Sequence, residues 1–163
     1  MKATRHNGRS GKHGTYDAKH NDRRFDVENS EHIDAERTKF NVYWDRYQGY
    51  SLPNEETKRA RFTFTEVEKA YYVEKYSDHV DWQNERNRTV RHYDRVKTID
   101  GILENNKTCP EETLLQLGNI DGTVSADVLA QISAEYFEEF NKRYGSHVHI
   151  LDWALHLDEA TPH

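Results

Sequence analysis

The last seventeen residues, His147 to His163, place the strongest constraint on the fold of this chain. Between Val148 and Leu157 the sequence alternates and is rich in β-branched and apolar residues, a pattern that predicts a buried strand. An Asp-Glu-Ala-Thr-Pro turn follows, and Pro162 cannot donate to a strand ladder, so the strand cannot simply continue. The fold therefore has to bring a strand end and a tight polar turn to one place.

Three potential metal ligands lie at this strand end: His156, Glu159 and His163. Two imidazoles and one carboxylate suit a divalent transition metal that keeps open positions for substrate. The alternative is a solvated turn with an incidental HxxExxxH spacing, because short motifs also arise by chance. The helical zinc-protease pattern HExxH is absent from the chain.

Charge is distributed unevenly along the 163 residues, a length that suits one domain. The formal net charge is −6, yet residues 1–24 contain seven Lys or Arg and two Asp, a formal +5, so the remainder carries −11. A basic segment on an acidic body predicts a local contact with a polyanion. The single Cys109 excludes an internal disulfide framework, and the lack of a long apolar run predicts a soluble, cytoplasmic protein without a membrane segment.

The first half of the chain predicts a basic arm and a long helix. Residues 1–15 are rich in Gly, Ser, Lys and His, which is typical of a flexible segment. Residues 45–64 predict a loop or short hairpin that turns at Pro53-Asn54. A helix then begins after the cap Thr65, with Glu68 completing a capping box, and ends near His92.

The second half predicts helix, strand, helix and the final strand. A short helix covers residues 96–104, and residues 113–117 read as a strand. Ser125 caps an amphipathic helix that ends at Gly145, as a C-terminal glycine indicates. Its apolar positions are expected to face the core: Val128, Leu129, Ile132, Tyr136, Phe137 and Phe140.

His20 is a candidate nucleophile within the basic segment. Lys19, Arg23 and Arg24 would attract a phosphate and disfavour the imidazolium form of His20. A neutral imidazole is what nucleophilic attack needs. Taken without its neighbours, however, a histidine here is more typical of a solvated surface residue.

Three sequence sets together resemble the Mob/Pre plasmid mobilisation and recombination proteins, the MobV class of HUH-type DNA relaxases. They are Lys-His-Asn-x-Arg at 19–23, Ile-Asp-x-x-Arg-Thr-x-x-Asn at 33–41 and His-Leu-Asp-Glu-x-Thr-Pro-His at 156–163. The resemblance covers the N-terminal catalytic domain in outline, and the middle of the chain matches weakly. It implies an α/β (α+β) fold, an HUH-relaxase-like antiparallel sheet flanked by helices, within one catalytic domain spanning residues 1–163.

The same resemblance implies a mechanism. Most relaxases attack with a tyrosine, whereas the Mob/Pre class uses the histidine of its first motif. The resemblance implies that His20 has this role here. Attack at an origin of transfer would give a covalent 5′-phosphoryl-histidine and a free 3′ hydroxyl, with Arg23 binding a phosphate. The resemblance makes His156, Glu159 and His163 the ligands of a divalent metal, Mn²⁺ rather than Mg²⁺, which would polarise the scissile phosphate.

Other roles follow from the resemblance or stay open. Residues expected to contact DNA are Lys19, Arg24, Arg37 and Asn41. Asp34 and Arg37 are expected either to pair or to touch DNA, and Asp158 to orient a metal-binding histidine. The rival nucleophiles are Tyr16, Tyr43 and Tyr47.

The family pattern continues past Pro-His with another His and a further strand, whereas this sequence stops at His163. The resemblance therefore implies a truncated catalytic domain, lacking a region through which such proteins would form a homodimer. Two alternatives remain beside the relaxase. One is a non-catalytic remnant that binds single-stranded or hairpin DNA, and the other is an α/β scaffold whose His-rich turn is incidental.

Overall fold

The structure, a computed structural model, describes residues 3–9, 17–51, 61–119 and 122–159. Its strands are β1 (Ala3–Arg9), β2 (Val42–Asp45), β3 (Gly49–Ser51), β4 (Glu111–Asn119), β5 (Gly122–Thr123) and β6 (Asp152–Leu155). Its helices are α1 (Ala18–Asn21), α2 (Phe64–Thr89), α3 (Ile99–Leu103) and α4 (Ala126–Tyr144), with 3-10 turns at Thr38–Phe40 and Tyr93–Arg95. The strands form two small antiparallel sheets, in the orders β1-β4-β5 and β3-β2-β6, so the fold is mixed α and β.

Residues 3–9 form a paired strand where the sequence predicted a flexible arm. Every residue of β1 lies opposite a residue of β4, from Ala3 against Leu117 to Arg9 against Glu111. Asn7 adds side-chain bonds across the pair, because its Nδ2 donates to Glu111 Oε1 at 3.0 Å. Composition alone missed this strand because its partner is more than a hundred residues away. Residues 10–15 of the predicted arm lie outside the described residues.

The N-cap of the long helix α2 lies two residues before the predicted cap Thr65. Thr63 is the N-cap: its hydroxyl accepts from the Glu66 N–H at 3.1 Å, and Glu66 Oε2 accepts from the Thr63 N–H at 2.8 Å. The sequence offers the same capping-box spacing at Thr63 and at Thr65. The earlier one is used because Phe64 is buried and its N–H is bound by Asp22 Oδ2 at 3.1 Å. The helix ends at Thr89, before the predicted His92.

The helix α4 has the predicted start but a different buried face. Leu129 is its one buried residue, and Phe137 stacks on Trp153 with 5.0 Å between ring centroids. These two side chains lie eight residues apart and therefore share one face of a helix. The predicted core positions on the adjacent face, Val128, Ile132 and Tyr136, are exposed. Gly145 does end the helix, but with φ −61 it needs no left-handed conformation; a Cβ there would instead clash with the Asn141 carbonyl.

The final strand is shorter than predicted, because β6 holds four residues of the expected ten. It pairs with β2, so that Trp44 faces Trp153 and Tyr43 faces Ala154. Its inward side chains join Leu129 in a small core of Leu129, Trp153, Leu155 and Leu157. Residues 148–151 stay outside the sheet, and Val148 is half exposed.

The helix α3 and the strand β4 follow the sequence closely. The short helix α3 lies inside the predicted range 96–104, and β4 contains the predicted strand 113–117. Strands β2 and β3 form a hairpin that turns at residues 46–48, whereas the predicted turn at Pro53-Asn54 lies outside the described residues. Among the helices described, none has the length and apolar character needed to cross a membrane.

Candidate functional site

The site is built on a strained turn at the end of α1. Asp17 caps this helix by accepting from the Lys19 N–H at 3.0 Å. At its other end the Arg23 N–H binds the His20 carbonyl at 3.0 Å and the Arg24 N–H binds the Lys19 carbonyl at 2.8 Å, the two bonds of a Schellman motif. Arg23 occupies the left-handed position of that motif with φ 55, where glycine is the usual residue. A non-glycine residue there costs on the order of 1–2 kcal/mol, so its side chain has to offset the strain.

The side chain of Arg23 is buried between two carboxylates from the other end of the chain. Its Nε donates to Asp158 Oδ2 at 3.0 Å and its Nη2 to Asp158 Oδ1 at 2.7 Å, a bidentate pair. Nη2 also donates to Glu159 Oε1 at 2.7 Å, and Nη1 to the His20 carbonyl at 3.1 Å. The Arg23 and Asp158 side chains are 3% and 0% exposed. The first and third motifs of the resemblance therefore meet in one buried ion pair.

The second motif joins the same carboxylate. Asn41 is fully buried: its Nδ2 donates to Asp158 Oδ2 at 2.7 Å, and its Oδ1 accepts from the Leu157 N–H at 2.7 Å. The Thr38 hydroxyl donates to Asp158 Oδ2 at 3.1 Å. A backbone hydrogen bond joins the same two segments, because the Asp34 N–H donates to the Asp158 carbonyl at 2.8 Å. Asp158 is thus the point where all three motifs converge, which we call the Asp158 network: Arg23, Thr38, Asn41, Asp158 and Glu159.

The protonation states of the Asp158 network follow from these contacts. Burial raises the pKa of Asp158, but hydrogen bonds from Arg23 and Asn41 and the Arg23 charge outweigh it and lower the pKa to about 2. Burial lowers the pKa of Arg23, and the hydrogen bonds to Asp158 and Glu159 reverse this and raise it. The pair is therefore fully ionised at neutral pH.

His20 stands at the edge of this network. Its Nε2 lies 3.8 Å from Glu159 Oε1, and its side chain is 41% exposed. The imidazole stacks on the Phe25 ring, with centroids 5.1 Å apart and planes 2° apart, and on His32 at 6.2 Å and 13°. The candidate nucleophile is therefore partly exposed to solvent, next to the buried ion pair of Arg23 and Asp158.

His156 is buried directly behind this network. Its Nε2 lies 3.1 Å from the Asn21 carbonyl, which only accepts, so this nitrogen carries a proton. Tyr43 approaches it edge-on with 6.4 Å between ring centroids. The predicted ligands His156 and Glu159 are thus close to the same turn, while His163 lies outside the described residues.

A metal site needs His163 in addition to what the described chain provides. Within the ranges described, no group of three His, Cys, Asp or Glu side chains is arranged to hold an ion. Glu159 Oε1 accepts from Arg23 in the present arrangement. The metal therefore stays a prediction whose donor chemistry, two imidazoles and one carboxylate, is sound but whose third member is not described.

The predicted DNA-contacting residues divide into two groups. Lys19 and Arg24 are exposed on the His20 turn, where a phosphate could reach them, and Arg37 is exposed in the second motif. Asn41, by contrast, is fully buried and uses both ends of its amide inside the protein, which corrects its predicted role as a DNA contact. The Arg23 fork likewise holds carboxylates, not an outward-facing phosphate site.

The structure also places Asp34 and Asp158, whose roles the sequence left open. Asp34 Oδ1 accepts from the Glu36 N–H at 3.1 Å, and no ion pair between Asp34 and Arg37 is found in the described part of the chain. Asp158 binds Arg23, Thr38 and Asn41 through its side chain, and its role in orienting a metal-binding histidine stays a prediction.

The rival tyrosines differ in their access to the site. Tyr43 is buried and burial raises its pKa, so it is a poor nucleophile in this position. The Tyr47 hydroxyl donates to Glu74 Oε2 at 3.1 Å, away from the Asp158 network. Tyr16 lies outside the described residues.

Sequence reasoning missed Arg61, which lies in a stretch that gave only a loop signal. Its Nη1 donates to Asp22 Oδ1 at 2.9 Å, and its guanidinium lies 4.0 Å from the centroid of the Tyr43 ring. Asp22 in turn accepts from the Phe64 N–H at the start of α2. These contacts fasten the α1 turn to α2 and so hold His20 in place.

Comparisons of this chain with protein-family models, with curated proteins and with solved structures each gave no match.

Proposed function

We propose that this chain is the catalytic part of a Mob/Pre-type DNA relaxase, which nicks and rejoins one DNA strand through His20. The observation that carries the proposal is the convergence of three motifs, separated by up to 135 residues, on Asp158. A chance match of short motifs would not require their shared polar residues to bond to one another. The proposal includes the finer fold, an HUH-like antiparallel sheet flanked by helices, of which the two small sheets would be parts.

The reaction would use a lone pair of the neutral His20 imidazole. A ring nitrogen attacks the scissile phosphorus, the P–N bond forms and the P–O3′ bond breaks. The electron pair leaves with O3′, which takes a proton and becomes a 3′ hydroxyl, while the ring loses its other nitrogen-bound proton to solvent. The downstream strand stays attached through its 5′ phosphate, and attack by a 3′ hydroxyl reverses the step.

The residues of the chain would position this chemistry. Flanking phosphates would be bound by Lys19 and Arg24, which are exposed on the turn that carries His20, and by Arg37, which is exposed in the second motif. Arg23 and Asp158 would hold the turn that presents His20, because the buried pair fixes both the backbone and Glu159. A divalent metal, Mn²⁺ in preference to Mg²⁺, held by His156, Glu159 and His163, would supply Lewis-acid polarisation of the phosphate.

A second candidate function is a non-catalytic protein that binds single-stranded or hairpin DNA. One observation favours it: Arg23 and Glu159, both proposed for catalysis, are bound to each other at 2.7 Å. A protein that keeps the exposed cations around the His20 turn but not the metal would still bind a phosphate backbone.

The test is formation of a covalent adduct. The whole chain is incubated with Mn²⁺ and a random-sequence single-stranded oligonucleotide library labelled at its 3′ end, and the adduct is separated in denaturing gels. The relaxase predicts a labelled protein band that disappears in His20→Ala and with a chelator. His79→Ala, at an exposed histidine of α2, serves as the matched control and should keep the band.

Two outcomes separate the candidates. Retention of the library on the protein without any adduct would favour the non-catalytic protein. An adduct that persists in His20→Ala would exclude the histidine nucleophile and leave the tyrosines.

A further inference from the structure

His20 is unusual among exposed histidines because its ring plane is fixed. An imidazole on the surface rotates broadly about its terminal torsion, since that torsion has no sharp minima. Here the ring lies parallel to Phe25, with 2° between the planes and 5.1 Å between the centroids. Such an offset stack is a favourable aromatic arrangement and restrains rotation of a side chain that is 41% exposed.

The strained turn explains how Phe25 reaches this position. The left-handed Arg23, with φ 55, reverses the chain at the end of α1. The residues after it therefore run back along the helix, and Phe25 comes to lie beside His20, five positions earlier. The guanidinium of Arg23, anchored on Asp158, holds this reversal. The same turn thus supplies both the candidate nucleophile and the ring that restrains it.

Ring orientation matters for attack on phosphorus. The lone pair of an imidazole nitrogen lies in the plane of the ring, so rotation of that plane swings the lone pair away from the phosphorus and the in-line path. Fixing a reacting group in its productive geometry contributes to rate, and misplacement by about 1 Å costs as much as about 100-fold. A parallel neighbour fixes the plane without covering the edge of the ring that carries its nitrogens.

We propose that Phe25 is a positioning residue, whose ring stacks on His20 and holds the imidazole plane for attack on the scissile phosphate. This inference rests on the proposed relaxase function. Phe25 does not touch the substrate; it acts through His20. The role requires a flat ring at position 25, not only an apolar side chain of similar volume.

The test compares Phe25→Leu, which removes the flat ring, with Phe25→Tyr, which keeps it. Adduct formation is measured with the 3′-labelled single-stranded library and Mn²⁺, varying the library concentration to separate the maximal rate from half-saturation. Phe25→Leu should lower the maximal rate by about 10- to 100-fold and leave half-saturation unchanged. Phe25→Tyr should restore the rate. Phe40→Leu, at an exposed aromatic ring outside the stack, is the control and should have no effect.

A measurement without DNA separates this inference from the proposed function. In the free protein the His20 ring stacks parallel to the Phe25 ring, so Phe25→Leu should shift the NMR signals of the His20 ring protons and Phe25→Tyr should not. Unchanged His20 signals in Phe25→Leu would overturn the positioning role, whatever the nicking result. An unchanged maximal rate in Phe25→Leu, with the adduct still lost in His20→Ala, would overturn the positioning role and keep the relaxase. Absence of an adduct from the unaltered chain would overturn both.

Discussion

The two ends of strand β6 carry aspartates that behave in opposite ways, a partly buried Asp152 and a fully buried Asp158. Asp152 is the first residue of the strand, and Asp158, six positions after Asp152, follows the strand's end. Burial raises the pKa of Asp152 well above its ordinary value of 3.8, whereas the pKa of Asp158 is lowered to about 2. The same residue type on the same segment therefore resists ionisation at one end and is held ionised at the other.

Their neighbours explain the difference. After burial, the charges that raise the pKa of Asp152 are those of Glu68, Asp22 and Asp45, and Arg61 offsets them only in part. No hydrogen-bond partner for Asp152 Oδ2 is found among the residues that the structure describes. At Asp158, in contrast, Arg23 donates to both carboxylate oxygens and Asn41 donates to Oδ2.

The comparison shows that burial of a carboxylate identifies a site only together with its donors. Taking a carboxylate out of water without partners makes it neutral, because desolvation penalises the charged form. The donors at the Asp158 end come from the motifs that also carry His20. The Asp152 end, which we call the acidic end, has no such set among the described residues, and we assign it no ligand.

The largest expected effect comes from Asp158→Asn, which removes the ionised aspartate of the two. The amide would leave the buried Arg23 charge without its bidentate partner, and breaking such a pair costs about 3–5 kcal/mol. The free energy of unfolding from urea titration should fall by that amount. Glu139→Gln, which breaks the exposed pair with Arg143, should leave it almost unchanged. A loss as small as the control's would mean that Arg23 does not depend on Asp158.

Acid titration tests the same end by a different route. Because the folded pKa of Asp158 lies below its unfolded value, its ionised form stabilises the fold fully above about pH 4, and this contribution is lost as the pH falls towards about 2. The difference in unfolding free energy between the unaltered chain and Asp158→Asn should therefore shrink over that window. A difference that stays constant down to about pH 2 would contradict the lowered pKa.

How much of this site could be predicted from the sequence depends on the residue. His20, Arg23, His156 and Glu159 were singled out by motif spacing, and the structure brings them to one turn. Their bonding partners were not predictable, because spacing along the chain does not say which oxygen a guanidinium meets. Asn41 shows the limit: an amide within a basic motif suggests DNA, yet the fold buries it against Leu157.

The fold shows the same limit. Local signals located α2, α3, β4, α4 and β6, and the start of α4 after Ser125 depends on neighbouring residues alone. The choice between two equal capping boxes depended on Asp22, 42 residues before Phe64, and the pairing of β1 depended on β4. Residues distant in the sequence decide which cap is used and which strands pair, and one sequence alone does not indicate these contacts.

Asp152→Asn should have a smaller effect of opposite sign. Because burial raises the folded pKa of Asp152 above its unfolded value, its penalty is absent below about pH 4 and grows as the pH rises. The neutral amide removes that penalty and should stabilise the protein at neutral pH by about 1 kcal/mol. Urea titrations at about pH 4 and pH 7 would show the gain only at the higher pH. Destabilisation at neutral pH would mean that the carboxylate has a favourable role that the described contacts do not include.

The smallest expected effect separates the two causes of the raised pKa of Asp152, burial and neighbouring charge. Burial is the largest contribution to the raised pKa of Asp152, and Glu68 is the largest of its neighbouring charges. Glu68→Gln should therefore lower the pKa of Asp152 only part of the way, leaving it above 3.8 when its carboxyl carbon is titrated by NMR. Glu85→Gln, an exposed carboxylate further along α2, is the matched control and should not move the signal. A return to the ordinary value would show that repulsion outweighs burial, and the acidic end would then differ from the Asp158 end through its charges alone.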